Sequence, residues 1–295
     1  NRGYGFEKDR NLTIRDSEVA YTYGGNFLTW GKGVSGNTVD DVYFHNKPAG
    51  FSAFEIGRDS ANNKVRRIEY HTFGYGGVGR LGNQIWRTQE YGGDNFPTSV
   101  IELSRVYNPF FHGDDAGFQI NQAQVYNLVV RQNWTHDLPG RNGIRFDGSP
   151  AGFGGTAHHN VSFNNRRGFR LKGDYHTILN NLALDNTAYD IGVSADKFYG
   201  YKEGYDPAVD GLIRPSEDND FFNVYDFRAD GRRGSAQRFG NRYSIAKNNA
   251  GNHDNYPWEY DTPGITDNST SKSRGHVVES ELRDVDNFDF RPVAG

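Results

Sequence analysis

The feature that most constrains this chain is a short phrase that recurs through its middle, in which a small residue is followed by apolar, polar, apolar and polar positions. It reads Gly117-Phe118-Gln119-Ile120-Asn121, Gly143-Ile144-Arg145-Phe146-Asp147, Gly168-Phe169-Arg170-Leu171-Lys172 and, more loosely, Asp190-Ile191-Gly192-Val193-Ser194, at steps of 26, 25 and 22 residues. A second phrase runs out of phase with it: Asn133-Trp134-Thr135-His136, Asn160-Val161-Ser162-Phe163-Asn164 and Asn181-Leu182-Ala183-Leu184-Asp185, at steps of 27 and 21. Similar runs lie upstream, as Asn11-Leu12-Thr13-Ile14-Arg15, Asp41-Val42-Tyr43-Phe44-His45 and Arg67-Ile68-Glu69-Tyr70-His71. Such alternation specifies short strands with one buried face, and the Asn and Gly between them supply the left-handed turns that bend the chain. A coil of this kind buries its apolar face only against its neighbours, so the coils must stack.

The spacing predicts an all-β chain, a single right-handed parallel β-helix over residues 1–295. A propeller blade needs about 40 residues, and a doubly wound fold needs amphipathic helices that the pattern lacks. Asn160 and Asn181 fall at equivalent positions of successive coils and predict a side-chain amide ladder inside the stack. The stretches 74–95 and 196–240 break the period and read as long loops leaving the solenoid, where function often resides.

Composition narrows the partners. Hydrophobic residues are only 35%, but 18 Tyr, 21 Phe and 37 Gly distinguish the chain from a disordered one and fit a folded, turn-rich protein. The 33 basic and 37 acidic residues are spread along the chain, which argues against a nucleic-acid surface. No run is long and apolar enough for a membrane span, and the absence of Cys removes disulfides and thiolate metal sites. The opening residues lack the apolar core of an export signal. We therefore expect a secreted or periplasmic protein, a piece of a longer product whose signal lies upstream.

In a strand, alternate residues share a face, so stacking the first phrase predicts two outward columns: Gln119, Arg145 and Arg170 in one, Asn121, Asp147 and Lys172 in the other. His112, Asp114 and Asp115 precede the first of these strands, at the lip of the same face. Guanidinium and ammonium groups hold carboxylates or sulfates while carboxylates carry proton chemistry, so this mixture suits cleavage of an acidic sugar chain. The second phrase is expected to turn Asn, Ser, Thr and Ala outward and Trp134 inward. His71, His136, His158, His159 and His176 are candidates for proton transfer, with His136 a further substrate contact, and Tyr70, Tyr107, Trp30 and Trp134 could stack on sugar rings.

The run His112-Gly113-Asp114-Asp115-Ala116-Gly117, followed two coils later by Gly168-Phe169-Arg170-Leu171-Lys172, resembles the Gly-Asp-Asp and Arg-Ile-Lys motifs of the polygalacturonase family, within the pectin-lyase-like β-helix superfamily. The resemblance implies hydrolysis in which Asp114 and Asp115 act as acid and as activator of water, while Arg170 and Lys172 bind the substrate carboxylate. Where that family has Gly-His-Gly, this chain has Arg141-Asn142-Gly143. A second resemblance, of the stretch from Gly168 to Asn186, is to β-helical pectate lyases, and implies proton abstraction by Arg170 with aspartate-bound calcium neutralising the uronate. The leading expectation is a glycosidase of an anionic polysaccharide, with Asp114, Asp115 and Asp147 in acid and base roles and no cofactor. The alternatives are a calcium-assisted polysaccharide lyase and a non-catalytic glycan-binding or adhesin rod.

Overall fold

The computed structural model describes residues 4–6, 10–21, 28–30, 35–47, 54–56, 62–74, 78–81, 98–110, 116–121, 128–147, 155–172, 177–194, 245–247, 249–251, 265–266, 269–270, 282–284, 287 and 289–293. Among them there is no helix, and 21 strands join in one hydrogen-bonded set in which every pairing is parallel, the parallel β-helix that the repeat requires. A short antiparallel pair, Leu282–Asp284 with Asp289–Pro292, stands apart from that set.

Three sheets run the length of the stack. The first carries inward Ile14, Val39, Val65, Ile101, Val130, Ala157 and Ile178 in register. The second carries inward Phe44, Tyr70, Val106, Thr135, Ser162, Ala183 and Gly251. The third carries inward Phe118, Ile144, Phe169 and Ile191. The apolar side chains among these form one continuous core, with Ile14 packed against it. Val78–Leu81, at the start of the stretch 74–95, is a strand of the third sheet and pairs with Ala116–Asn121. Residues 82–97 and 195–244, which contain the rest of the two expected loops, lie outside the described residues.

The chain changes sheet at single residues of positive φ. Gln132, His159 and Asn180 turn the first sheet into the second, and Asp137, Asn164 and Asp185 turn the second toward the third. Each corner aims a backbone N–H along the stack into the interior, where water cannot reach it. At the first corner Asn133, Asn160, Asn181 and Asn249 fill this need: the Oδ1 of each of the last three accepts the backbone N–H of the Asn before it, at 3.0 Å. The same oxygen also accepts the preceding amide Nδ2–H, at 2.9 to 3.1 Å. Each Nδ2 donates in addition to a carbonyl, as Asn160 does to Val130 at 2.9 Å. A second ladder at the other corner runs from the Leu138 N–H to Asn165, Asn186 and the carboxylate of Asp190. A third, at the start of the first sheet, links Leu12, Asn37, Asn63 and Ser99.

The inward residues of the second sheet shrink from Phe44 and Tyr70 to Thr135, Ser162 and Ala183, and there the third sheet closes in. This is why the first phrase is led by glycine. A Cβ on Gly143 would lie 2.6 Å from the Gly168 carbonyl oxygen and 2.5 Å from Thr135 Oγ1, and nearer still to Ser162 Oγ.

Replacing Asn160 with Ala removes the acceptor for two buried donors and the amide bond to the Val130 carbonyl, so we expect a loss on the order of 3 kcal/mol, measured by urea denaturation. Gly143→Ala should be comparably damaging, because backbone on the facing strand must move; a variant within about 0.5 kcal/mol of the parent would contradict this packing.

Candidate functional site

Each sheet presents a different column to solvent. On the first, Arg15, Asp40, Arg66, Glu102, Arg131 and His158 follow one another in register, alternating in sign until the histidine. Asp40 pairs with Arg66 at 2.8 Å and Arg67 at 2.5 Å, and Glu102 with Arg131 at 2.5 Å. Both carboxylates of this column are engaged by arginines of the same face, pairs that tie neighbouring coils together.

The third sheet carries Gln119, Arg145 and Arg170 in one outward column, and on the same strands the positions of Asn121 and Asp147 pair in register. Arg145 is 6% exposed, whereas Gln119 and Arg170 are half-buried. Lys172 occupies the matching strand position one coil on and pairs with Ser194. Of Asp147 and Lys172 the strand positions alone are described, and His112, Asp114, Asp115 and His176 lie outside the described residues. The repeat therefore brings Gln119, Arg145 and Arg170 together, while His136 stands on the second sheet, away from that column.

The second sheet differs from the sequence expectation. Thr135, Ser162 and Ala183 point inward, fully buried, and Trp134 and His136 flank Thr135 on the outward side. The reason is the ladder: Asn133 and Asn160 occupy the inward corner slot, and alternation from an inward Asn puts the next residue outside. Trp134 is thus not a core residue, and the outward columns hold large groups. One reads Glu18, Tyr43, Glu69, Arg105, Trp134; the other reads Ala20, His45, His71, Tyr107, His136.

The rings of the latter column stack on one another. His45 and His71 are 5.7 Å apart between centroids, His71 and Tyr107 4.9 Å, and Tyr107 and His136 4.8 Å, with planes within 23° of parallel. Their faces are covered by neighbours and their polar edges point out. Tyr107 is therefore not a platform for a sugar ring, nor is Tyr70, which is fully buried; the Trp134 face is taken by the Arg105 guanidinium at 4.6 Å. Trp30 has only its strand position described.

The two columns interlock along a diagonal, each residue of the first bonding to the ring one coil on. His45 Nε2 donates to Glu18 at 2.8 Å, Tyr43 and His71 share a hydrogen bond of 2.5 Å, Tyr107 donates to Glu69 at 2.6 Å, and Arg105 Nε donates to His136 Nε2 at 2.8 Å. The corner residue after each histidine holds its Nδ1. Asn46 Nδ2 donates to His45 at 2.8 Å, Thr72 Oγ1 lies 2.6 Å from His71, and His136 Nδ1 donates to Asp137 at 2.7 Å. Two tautomers follow from partners that act in one direction: the proton is on Nε2 in His45 and on Nδ1 in His136.

Burial, first of all, pushes His136 and His71 below the ordinary histidine value, and the Arg105 charge lowers both further, while Asp137 works against it at His136 and Glu69 at His71. His158 is lowered by burial, then by His159 and Arg131. Tyr43 is raised by burial, then by Glu69 and Glu18. Among the described residues no group of three or more His, Asp or Glu is arranged to hold a metal ion, and no helix is long and apolar enough to cross a membrane. No family model, curated protein or solved structure matches the chain.

Because these three histidines take a proton more readily in the unfolded chain, stability should be greatest above pH 6.5, their ordinary value, and decline as the pH falls below it. Thermal unfolding followed across pH 7.5 to 5 tests this, and His136→Gln should flatten the decline.

Proposed function

We propose that this protein cleaves the glycosidic bonds of an anionic polysaccharide, as a secreted or periplasmic member of the pectin-lyase-like β-helix superfamily. The observation that carries the reading is the in-register column Gln119, Arg145 and Arg170, beside Asn121 and Asp147, on a parallel β-helix. Neighbouring coils lie about 4.8 Å apart, so successive rungs fall within the length of one or two sugar rings. The first sheet alternates basic and acidic residues that form ion pairs, whereas the third-sheet column places two arginines in succession. Successive guanidinium groups suit repeated carboxylates or sulfates on a linear chain.

Hydrolysis is the reading tied to the sequence motifs. Asp114, Asp115 and Asp147 share the acid and base roles, Arg145, Arg170 and Lys172 bind the anionic groups with His112 and Gln119 at the margin, and no cofactor is needed. Elimination is the second reading, with calcium as the ion that neutralises the uronate, and it has its own observation in the 2.5 Å contact between Tyr43 and His71.

A panel of uronate and sulfated polysaccharides separates the two. Hydrolysis yields new reducing ends without ultraviolet absorbance, and elimination yields an absorbing unsaturated sugar. Arg170→Ala should raise KM by roughly tenfold, the effect of one lost charge-assisted contact, and Asp114→Asn and Asp115→Asn should each lower kcat by about 10²–10⁴ under hydrolysis. Full activity in all three variants, or no cleavage of any polymer by the parent, would overturn the proposal.

A further inference from the structure

The diagonal pairs of the second sheet are alike in geometry but not in chemistry. A carboxylate only accepts and a guanidinium only donates, so the outer partners Glu18 and Arg105 fix His45 and His136 in one tautomer each. The partners of His71 are both hydroxyls, Tyr43 at 2.5 Å on Nε2 and Thr72 at 2.6 Å on Nδ1. A hydroxyl both donates and accepts. His71 is therefore the histidine of the stack whose proton can shift from one nitrogen to the other with both hydrogen bonds kept.

Two further observations single out this rung. Tyr43 is an exposed aromatic residue, at 37%, and its hydrogen bond to His71 lies at the surface. Thr72 has φ 54°, a conformation that a β-branched residue adopts at a cost, whereas Asn46, Asn108 and Asn164 hold equivalent corners. The threonine places on His71 Nδ1 a hydroxyl that both donates and accepts.

We propose that Tyr43 and His71 form a proton-relay pair that removes the C5 proton of a bound uronate and returns it to the leaving glycosidic oxygen. The inference rests on the polysaccharide-cleaving reading but places the chemistry on the second sheet, independently of the third-sheet column. The C5–H bond breaks as its proton passes to the Tyr43 oxygen and the phenolic proton passes to His71 Nε2. The C5 electron pair forms the C4–C5 double bond, and the C4–O bond breaks. The leaving oxygen then takes a proton from Tyr43, which recovers one from His71. No oxidant, reductant or water is consumed.

The surroundings suit a relay rather than a standing phenolate. Glu18 and Glu69 flank Tyr43 in its column and oppose negative charge on the phenol, so the base is the imidazole behind it. The groups around His71 are Tyr43, Thr72, Tyr107, Glu69, His45 and Arg105. Glu69 favours the imidazolium that forms, while burial, His45 and Arg105 keep the resting ring neutral at pH 7.

The test uses the full chain with polyuronates. The parent should release an ultraviolet-absorbing product, with an acid limb of kcat/KM below pH 6.5, where His71 takes up a proton. Tyr43→Phe keeps the ring and should lower kcat by about 100-fold or more with KM within roughly threefold, and His71→Gln should do the same. His158→Gln, on the first sheet, should stay within about twofold of the parent and serves as the control. Nitrogen-15 spectra of the parent should show both tautomers at His71 and one each at His45 and His136, whatever the folding of the variants. Reducing ends without absorbance, Tyr43→Phe at parental turnover, or a single fixed tautomer at His71 would each overturn the pair while leaving polysaccharide cleavage intact. Cleavage of no polymer by the parent would overturn both.

Discussion

The interaction on which the rest of this structure depends is the hydrogen bond from a buried corner N–H to the side-chain oxygen of an asparagine in the next coil. A chain that turns a corner inside a stack aims an amide where water cannot follow, and an orphaned amide there costs about 1–3 kcal/mol. Asn133, Asn160, Asn181 and Asn249 meet that need with the same atoms in the same roles. The amide is short enough to stay inside the corner and has both an acceptor and two donors, so it serves the coil before it and its own side-chain neighbour at once. On the following strand Thr135 and Ser162 face Gly117 and Gly143 of the third sheet, because the interior there is narrow.

The ladder also fixes the register, and the register determines what faces solvent. Once one Asn stacks on the next, every outward side chain is locked about 4.8 Å from its equivalent in the neighbouring coil. On the first sheet the result is an alternation of Arg and Asp or Glu whose carboxylates are paired across coils. On the second it is a stack of rings joined by diagonal hydrogen bonds, with carboxylate, phenol, imidazole and guanidinium within reach of one another. On the third it is a run of Gln119, Arg145 and Arg170. One scaffold thus gives three surfaces of different electrostatic character.

The second sheet also shows how a solenoid can tune titratable groups without a deep cleft. Stacked rings cover one another's faces, so His136 is 2% exposed although it lies on the outer side of its strand. Burial there lowers His71 and His136 and raises Tyr43 and Tyr107, while the ring edges make hydrogen bonds. A partner that acts in one direction then fixes a proton in place, and a hydroxyl leaves it free to shift.

Much of this was legible in the sequence. The steps of 26, 25 and 22 residues, the alternation within each phrase and the leading Asn and Gly determine a stack of parallel coils, its amide ladder and the column Gln119, Arg145 and Arg170, because coil spacing and strand periodicity are local properties. His71 and His136 were visible as candidates by residue type. The orientation of the second sheet was not. Reading Trp134 as inward treats apolarity as burial, but the preceding Asn133 already holds the inward corner, and a shift of one residue reverses every side chain. Nor could the sequence pair Tyr43 with His71 or Arg105 with His136, residues 28 and 31 positions apart. Those distances exist only once coils of unequal length have been stacked, because the contacts across coils follow the ladder rather than the count along the chain.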